Sequence, residues 1–395
     1  MKDLKHLIYF ERLLENADNE LVEKAKAEGG VCLGYTCFHI PEVLLNVDNC
    51  FSTRLRAPNT GSIDIATYYM SNYTCEFARA LLERAIEGGY QFLDALIGVD
   101  ACSMMNRSME HFEILQVNDK PNFFVTHTDM PFKITDYTLK AYVQQMQAHV
   151  LDRLHEVFGV DTSDAAIRKA VEEHNEVCRI MTEISQMRKA ENPIVTGYEF
   201  HLLNLVTYTC PKALILPYLR ETLEELKTRE PDVKNPFRAR VAIVGSEIDD
   251  PSLTKLIEGC GALVVCDRFC YGAVESRQPI VLEEGKSPLR CIAEHYLKTS
   301  NCPRFMPQDE MRARKQRLAD LAKEYHADGV IIASNKFCEY WSYERVIDTF
   351  ILKRDFGLPV CSIEKEYINS ASGQLRTRFQ AFVESVEIKH IQEGK

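Results

Sequence analysis

Arg238-Ala239-Arg240-Val241-Ala242-Ile243-Val244-Gly245-Ser246-Glu247-Ile248-Asp249-Asp250-Pro251-Ser252-Leu253 is the stretch that decides the fold. Val241 to Gly245 is a short, wholly apolar run, the pattern of a strand buried on both faces. Asp250 and Pro251 then open a helix that stops near Gly259, and Ala262-Leu263-Val264-Val265 is the next strand. The same alternation continues downstream. Arg312 to His326 reads as a helix, Gly329 to Ser334 as a strand, and Tyr343 to Asp355 as a helix closed by Gly357 and Pro359. Val360 to Ile363 is a strand and Gln374 to Val386 a last helix. Strands alternating with helices imply a parallel sheet.

The first third shows the pattern again. Leu4 to Ala27 reads as one amphipathic helix and Gly30 to Tyr35 as a strand. A helix is expected from Pro41, and another from Cys75 to a Gly88-Gly89 stop. Phe92 to Val99 and Asn122 to Thr126 read as strands. From Thr135 to Lys227 the sequence is rich in Glu, Lys, Gln and Met and reads as long helices. The expected class is α/β, with an N-terminal domain over 1–135, a helical connecting segment over 136–235 and a C-terminal domain over 236–395.

A chain of 395 residues exceeds one typical core. Its net charge of −11 argues against a nucleic-acid partner, which would require a basic face. The charged start Met1-Lys2-Asp3-Leu4-Lys5-His6 lacks an apolar signal core, and no run approaches the ~18 apolar residues of a membrane span. A cytoplasmic protein without a membrane partner is expected. Fourteen cysteines then point to metal or redox chemistry, or to buried thiols, rather than disulfides. No Cys-x-x-Cys pair occurs, so the ordinary ferredoxin and zinc-ribbon patterns are absent.

In open α/β sheets, ligands gather at the carboxyl ends of strands. Cys102 follows the strand Phe92–Val99, and Cys338 follows Gly329–Ser334. Cys75 starts a helix, where free N–H groups favour a thiolate. Sulfurs at the sheet edges of both halves could converge between the domains. A lone cysteine is more often a small hydrophobe than a ligand. Cys32, Cys178, Cys210 and Cys361 sit in apolar patterns and read as core. Cys37 follows the first strand and could line the same cleft. Cys260, Cys266 and Cys270 form a local group without a completed zinc set. Cys50, Cys291 and Cys302 have no assigned place.

These residues resemble a known family, the 2-hydroxyacyl-CoA dehydratases with the related cluster-bearing subunits of ATP-dependent benzoyl-CoA reductase. The likeness runs over nearly the whole chain. Its marks are Gly34-Tyr35-Thr36-Cys37-Phe38-His39-Ile40-Pro41-Glu42, the cysteine before a helix at Cys75, and the turn at Cys102. Val244-Gly245-Ser246-Glu247-Ile248-Asp249-Asp250-Pro251 and Lys336-Phe337-Cys338 continue it, and Gln374-Leu375-Arg376-Thr377-Arg378-Phe379-Gln380-Ala381-Phe382 closes it. The resemblance implies two Rossmann-like domains holding a [4Fe–4S] cluster in the interdomain cleft on Cys75, Cys102 and Cys338. It implies a homologous second subunit, a separate ATP-dependent iron–sulfur activator protein that injects one electron, and an acyl-CoA substrate.

The implied reaction removes water from a 2-hydroxyacyl-CoA, although nothing acidifies its β-carbon. One electron on the thioester gives a ketyl radical anion, which expels the α-hydroxide. The β-proton of the resulting enoxy radical is then acidic enough for a base, and the electron returns. Three cysteines on four irons leave one coordination position open. Glu42 is the candidate acid/base residue, or else a helix-start carboxylate that complements the dipole. His39 is the weaker alternative. Arg376 and Arg378 are candidates for CoA phosphates or for a solvated helix start. The family pairs a substrate-binding subunit with an electron relay. The length here suits the relay type, in which Glu42 would be structural. A benzoyl-CoA reductase subunit and a non-catalytic two-domain binding protein are the competing readings.

Overall fold

The computed structural model describes residues 3–233, 237–272, 277–300, 302–305, 307–368 and 372–394. Two four-stranded, all-parallel sheets stand among helices. The first contains β1 (Val31–Tyr35), β2 (Cys50–Arg54), β3 (Ala95–Asp100) and β4 (Phe124–Asp129), in the order β2-β1-β3-β4. The second contains β5 (Ala239–Gly245), β6 (Ala262–Phe269), β7 (Gly329–Asn335) and β8 (Val360–Lys365), in the order β6-β5-β7-β8. Both are Rossmann-like, and in both the strand order reverses beside the first strand. That reversal opens a crevice at the carboxyl ends of β1 and β3, and of β5 and β7.

The apolar runs form strands because helices cover both sheet faces. Every residue of β6 and β7 is buried. Along the chain, between β4 and β5, run the helices Asp136–Met146, Asp152–Phe158, Asp164–Met187, Gly197–Thr209 and Lys212–Thr228. The opening segment differs from its expectation. It is two helices, Leu7–Leu13 and Glu20–Ala27, because the Asn19 side chain accepts from the N–H groups of Leu21 and Val22 and starts a new helix. After Pro41 there is only a short 3-10 turn, Glu42–Asn46. No helix of the described residues is long and apolar enough to cross a membrane.

The two carboxyl edges face each other. Arg54, at the end of β2, donates to the Cys270 carbonyl (2.8 Å), past the end of β6. Arg304 donates to the carbonyls of Met130 (2.8 Å) and Asp100 (2.9 Å), at the edge of the first sheet. Tyr271 donates to the Leu55 carbonyl, and the Tyr367 N–H to Glu76 (2.6 Å).

Gly245 shows how tightly the second sheet is built. It pairs with Ala333 of β7, and a Cβ there would stand 1.8 Å from the Ala333 carbonyl oxygen. Both are backbone in a central strand pair, so neither can yield. Gly245→Ala is expected to cost about 3 kcal/mol, read as a lowered urea midpoint at unchanged slope. An unaltered midpoint would contradict this packing.

Candidate functional site

Cys75, Cys102 and Cys338 share one local geometry. Each is the residue immediately before a helix: Glu76–Ile86, Ser103–Ile114 and Glu339–Phe356 respectively. No side-chain cap closes these three helix starts, so first-turn N–H groups are left for the sulfur. Those of Phe77 and Ala78 favour a thiolate at Cys75, those of Met104 and Met105 at Cys102, and that of Trp341 at Cys338.

The thiols nonetheless hold their protons more tightly than usual, against the expectation from the helix starts alone. Burial is the leading cause at all three and outweighs the N–H groups. Cys75 is raised, Cys102 is pushed up to about 11, and Cys338 rises well above the ordinary thiol range. Their mutual influence puts them within electrostatic reach of one another. Cys102 feels the charge of Cys75, and Cys338 feels both.

Three further cysteines join this group. After burial, Cys37 feels Cys102, Cys302 feels Cys37 and Cys102, and Cys270 feels Cys302 and Cys338. Burial pushes Cys37 up to about 11 and Cys302 up to about 12. A cavity of about 80 Å³ is lined by Cys37, Phe38, His39, Arg54, Cys270 and Cys302, among others. Among the described residues no three His, Cys, Asp or Glu side chains could hold a single metal ion.

Glu247 lies in the same field. It follows β5 at the crevice, and its charge raises Cys37, Cys75, Cys102, Cys270 and Cys338. Burial pushes its own carboxyl up to about 7, against the pull of Arg54, whose Nη2 is 3.6 Å from Oε2. Arg54 also lies 3.8 Å over the Tyr271 ring. A strained turn aims Cys338. Phe337 has φ 61°, a region that bulky residues rarely adopt and that costs about 1–3 kcal/mol. Its ring packs edge-on against Tyr73, two residues before Cys75, with centroids 5.6 Å apart. The rim of the site is thereby tied across the two halves of the chain.

The other candidates fall elsewhere. Glu42 is buried, not open to the thiols. It accepts a hydrogen bond from Tyr35 Oη (2.6 Å) and is paired with Arg277 (3.1 Å), His174 (3.3 Å) and Lys212 (3.5 Å). Burial alone would raise its pKa, but Lys212, His174 and Arg277 together hold it well below the carboxylate range. His39 is buried beside the thiol cavity, its Nε2 on Ser300 Oγ. Burial, then Arg304 and Arg54, lower its pKa to about 3, so it is neutral. Cys260, Cys266 and Cys270 separate: Cys266 lies inside β6, and the Cys260 thiol faces the Arg376 carbonyl. Cys32, Cys178, Cys210 and Cys361 are all buried. Arg378, on the helix Ser372–Glu393, donates to the Ser362 carbonyl of β8.

Comparison with known proteins gives consistent results. The family described as 2-hydroxyglutaryl-CoA dehydratase, D-component, matches residues 37–386. The (R)-phenyllactyl-CoA dehydratase beta subunit of Clostridium sporogenes is 25% identical over 382 residues, 95% of this chain and 97% of that protein. The beta subunit of (R)-2-hydroxyglutaryl-CoA dehydratase from Acidaminococcus fermentans is 20% identical, covering 93% and 95%. A benzoyl-CoA reductase subunit of Thauera aromatica is 21% identical, covering 81% of each.

Proposed function

The chain belongs to the 2-hydroxyglutaryl-CoA dehydratase D-component family, and from that premise we propose that it is the [4Fe–4S] subunit of an (R)-2-hydroxyacyl-CoA dehydratase. What supports this reading is that Cys75, Cys102 and Cys338 each precede an uncapped helix start and lie within electrostatic reach of one another. The donor set fits the group. Thiolates are the ligands such a cluster takes, and three of them leave one of four irons open. Burial that disfavours free thiolates is offset when iron supplies positive charge, since a coordinating thiol is deprotonated outright.

The cluster would supply one electron to the substrate and take it back. The overall reaction balances. The α-hydroxide and a β-proton leave as water, and the electron is recovered. This chain's residues would exclude water, orient the thioester and hold a proton near the thiols. Glu247 is placed to hold that proton, because its carboxyl lies among the thiols and is raised by burial to about 7. For Glu42, the ring of cations supports the structural role over the catalytic one. Three more thiols, Cys37, Cys270 and Cys302, line one cavity within electrostatic reach of this group and are further candidate iron donors.

The protein would act with a homologous second subunit and an ATP-dependent iron–sulfur activator. The kinship to a benzoyl-CoA reductase subunit supports a second reading, in which the electron stays on an aromatic ring. Anaerobic incubation of the assembled complex with ATP, and with either a 2-hydroxyacyl-CoA or benzoyl-CoA, separates the two. Enoyl-CoA formation is expected. Dearomatisation without dehydration would replace the first reading by the second.

A further inference from the structure

The buried His39 ring stands between two groups of the thiol cavity. Its Nδ1 lies 3.6 Å from Cys37 Sγ, and its Nε2 is on Ser300 Oγ. All three residues line the cavity. A neutral imidazole carries one proton, on either nitrogen, so these two contacts alone leave the donor undecided.

Ser300 decides it. Its hydroxyl oxygen accepts from the Cys302 N–H (3.3 Å) and has a single proton of its own to give. Among the described residues no acceptor other than His39 Nε2 is within reach of that proton. Nε2 therefore accepts, and the imidazole proton stands on Nδ1, facing the sulfur. The opposite tautomer would leave a buried hydroxyl proton without an acceptor. A second proton on the ring would change nothing at Nδ1, which is a donor in both states.

The ring is held in this pose. The His39 carbonyl accepts from Tyr142 Oη, and the ring packs edge-on against Phe38 and Phe305, with centroids 5.8 and 5.9 Å away. The His39 backbone N–H also favours a Cys37 thiolate, so one residue offers this sulfur two donors. The other influences on Cys37 oppose one another. Burial leads against a thiolate, Arg54 favours it, and Glu247 and Cys102 disfavour it.

We infer that His39, fixed as the Nδ1–H tautomer by Ser300, is the positioning residue of Cys37, donating from its ring to the Cys37 sulfur and holding that sulfur as a donor for iron. An acid/base role would need a free ring nitrogen, and here both are engaged. The part that concerns iron rests on the iron–sulfur reading; the hydrogen bond does not. Partners of a ligand orient it, and hydrogen bonds to ligand sulfurs set a cluster's reduction potential. Donation to sulfur eases the extra negative charge of the reduced state, so it raises the potential.

Two measurements test the inference. In the iron-free full-length chain, 15N-histidine NMR is expected to show His39 protonated at Nδ1 and bare at Nε2, with His39→Asn identifying the signal. Ser300→Ala is expected to abolish that preference. An Nε2–H tautomer in the wild type would overturn the inference, whether or not the protein takes up iron. In the anaerobically reconstituted protein, a redox titration followed by EPR is expected to give His39→Leu a more negative potential at unchanged iron content. The expected size is about tenfold in the reduced-to-oxidised ratio at a fixed potential, about 59 mV for one electron. His39→Asn places an amide N–H near the position of Nδ1 and is expected to restore most of the shift. A merely structural role would make the Leu and Asn variants alike, and that result would overturn the inference. So would an unshifted potential in iron-loaded His39→Leu. Ser300→Ala is the smaller change, expected to shift the potential the same way, and it keeps the test valid if His39→Leu fails to fold. A wild type that shows the Nδ1–H tautomer but takes up no iron would uphold the hydrogen bond and sink the iron–sulfur reading, so the two failures are told apart.

Discussion

Replacing Cys75, Cys102 or Cys338 by serine is expected to strip the anaerobically reconstituted protein of most of its iron and visible absorption. Losing an outer-shell partner of a metal ligand already costs about 10–100-fold in affinity, so losing a direct thiolate should cost at least tenfold. Cys361→Ser and Cys50→Ser are the controls. Both residues are buried in strands, outside the group of mutually interacting thiols, and their iron content should not change. The remaining thiols decide how much iron the site holds. If only three act, iron should be about four per chain, and Cys37→Ser, Cys270→Ser and Cys302→Ser should leave it intact. If six act, iron should exceed four, and each of these variants should lower it. A colourless, iron-free wild type, expressed with cluster-assembly support, would sink the iron–sulfur reading and favour a binding protein.

The alternation of apolar runs and helix signals made both sheets legible, because parallel strands buried on two faces cannot carry polar residues without partners. β2 shows where that signal fails. Cys50-Phe51-Ser52-Thr53-Arg54 reads as half polar, yet all five residues are buried. Arg54 is tolerated there because it reaches the other half of the chain, at Cys270 and Glu247, a contact no local pattern encodes. The cysteines divide in the same way. Cys102 and Cys338 follow recognisable strands and Cys75 precedes a recognisable helix, so local sequence marks them. Cys270 and Cys302 carry no such mark. Cys302 lies just past the helix Pro288–Thr299, and only tertiary folding brings it to Cys37. Glu247 was marked in principle, as the first acidic residue beyond a buried strand at a crevice. Glu42 was conspicuous in sequence, but its partners at 35, 174, 212 and 277 come from a strand, two helices and a loop far apart in the chain. That dispersal is why its environment was hidden.

Glu42→Gln is expected to destabilise the protein by about 3–5 kcal/mol, the usual cost of removing one partner from a buried ion group. The amide keeps the shape of the carboxylate but leaves Arg277, Lys212 and His174 facing one another inside the protein. The pH dependence follows from the directions of the shifts. Glu42 is depressed in the folded state, so its contribution is full above its unfolded value and is lost as pH falls through the folded one. For His174, burial lowers the pKa, but Cys178 (Sγ to Nε2 3.3 Å) and Glu42 lift it to about 9. Its contribution is therefore full below about 6.5 and is lost as pH rises through about 9. Wild-type stability should accordingly be level between these limits and fall outside them, and the variant should lose the acid limb. Adding Arg277→Met to Glu42→Gln removes one of the stranded cations and should recover part of the loss, which a double-mutant cycle in urea would measure. The same series separates the two roles of Glu42. A purely catalytic carboxylate would give a Glu42→Gln protein of unchanged stability and lost turnover. An ion-group anchor gives a large loss of stability that the second substitution partly repairs, and the four contacts around this side chain argue for the anchor.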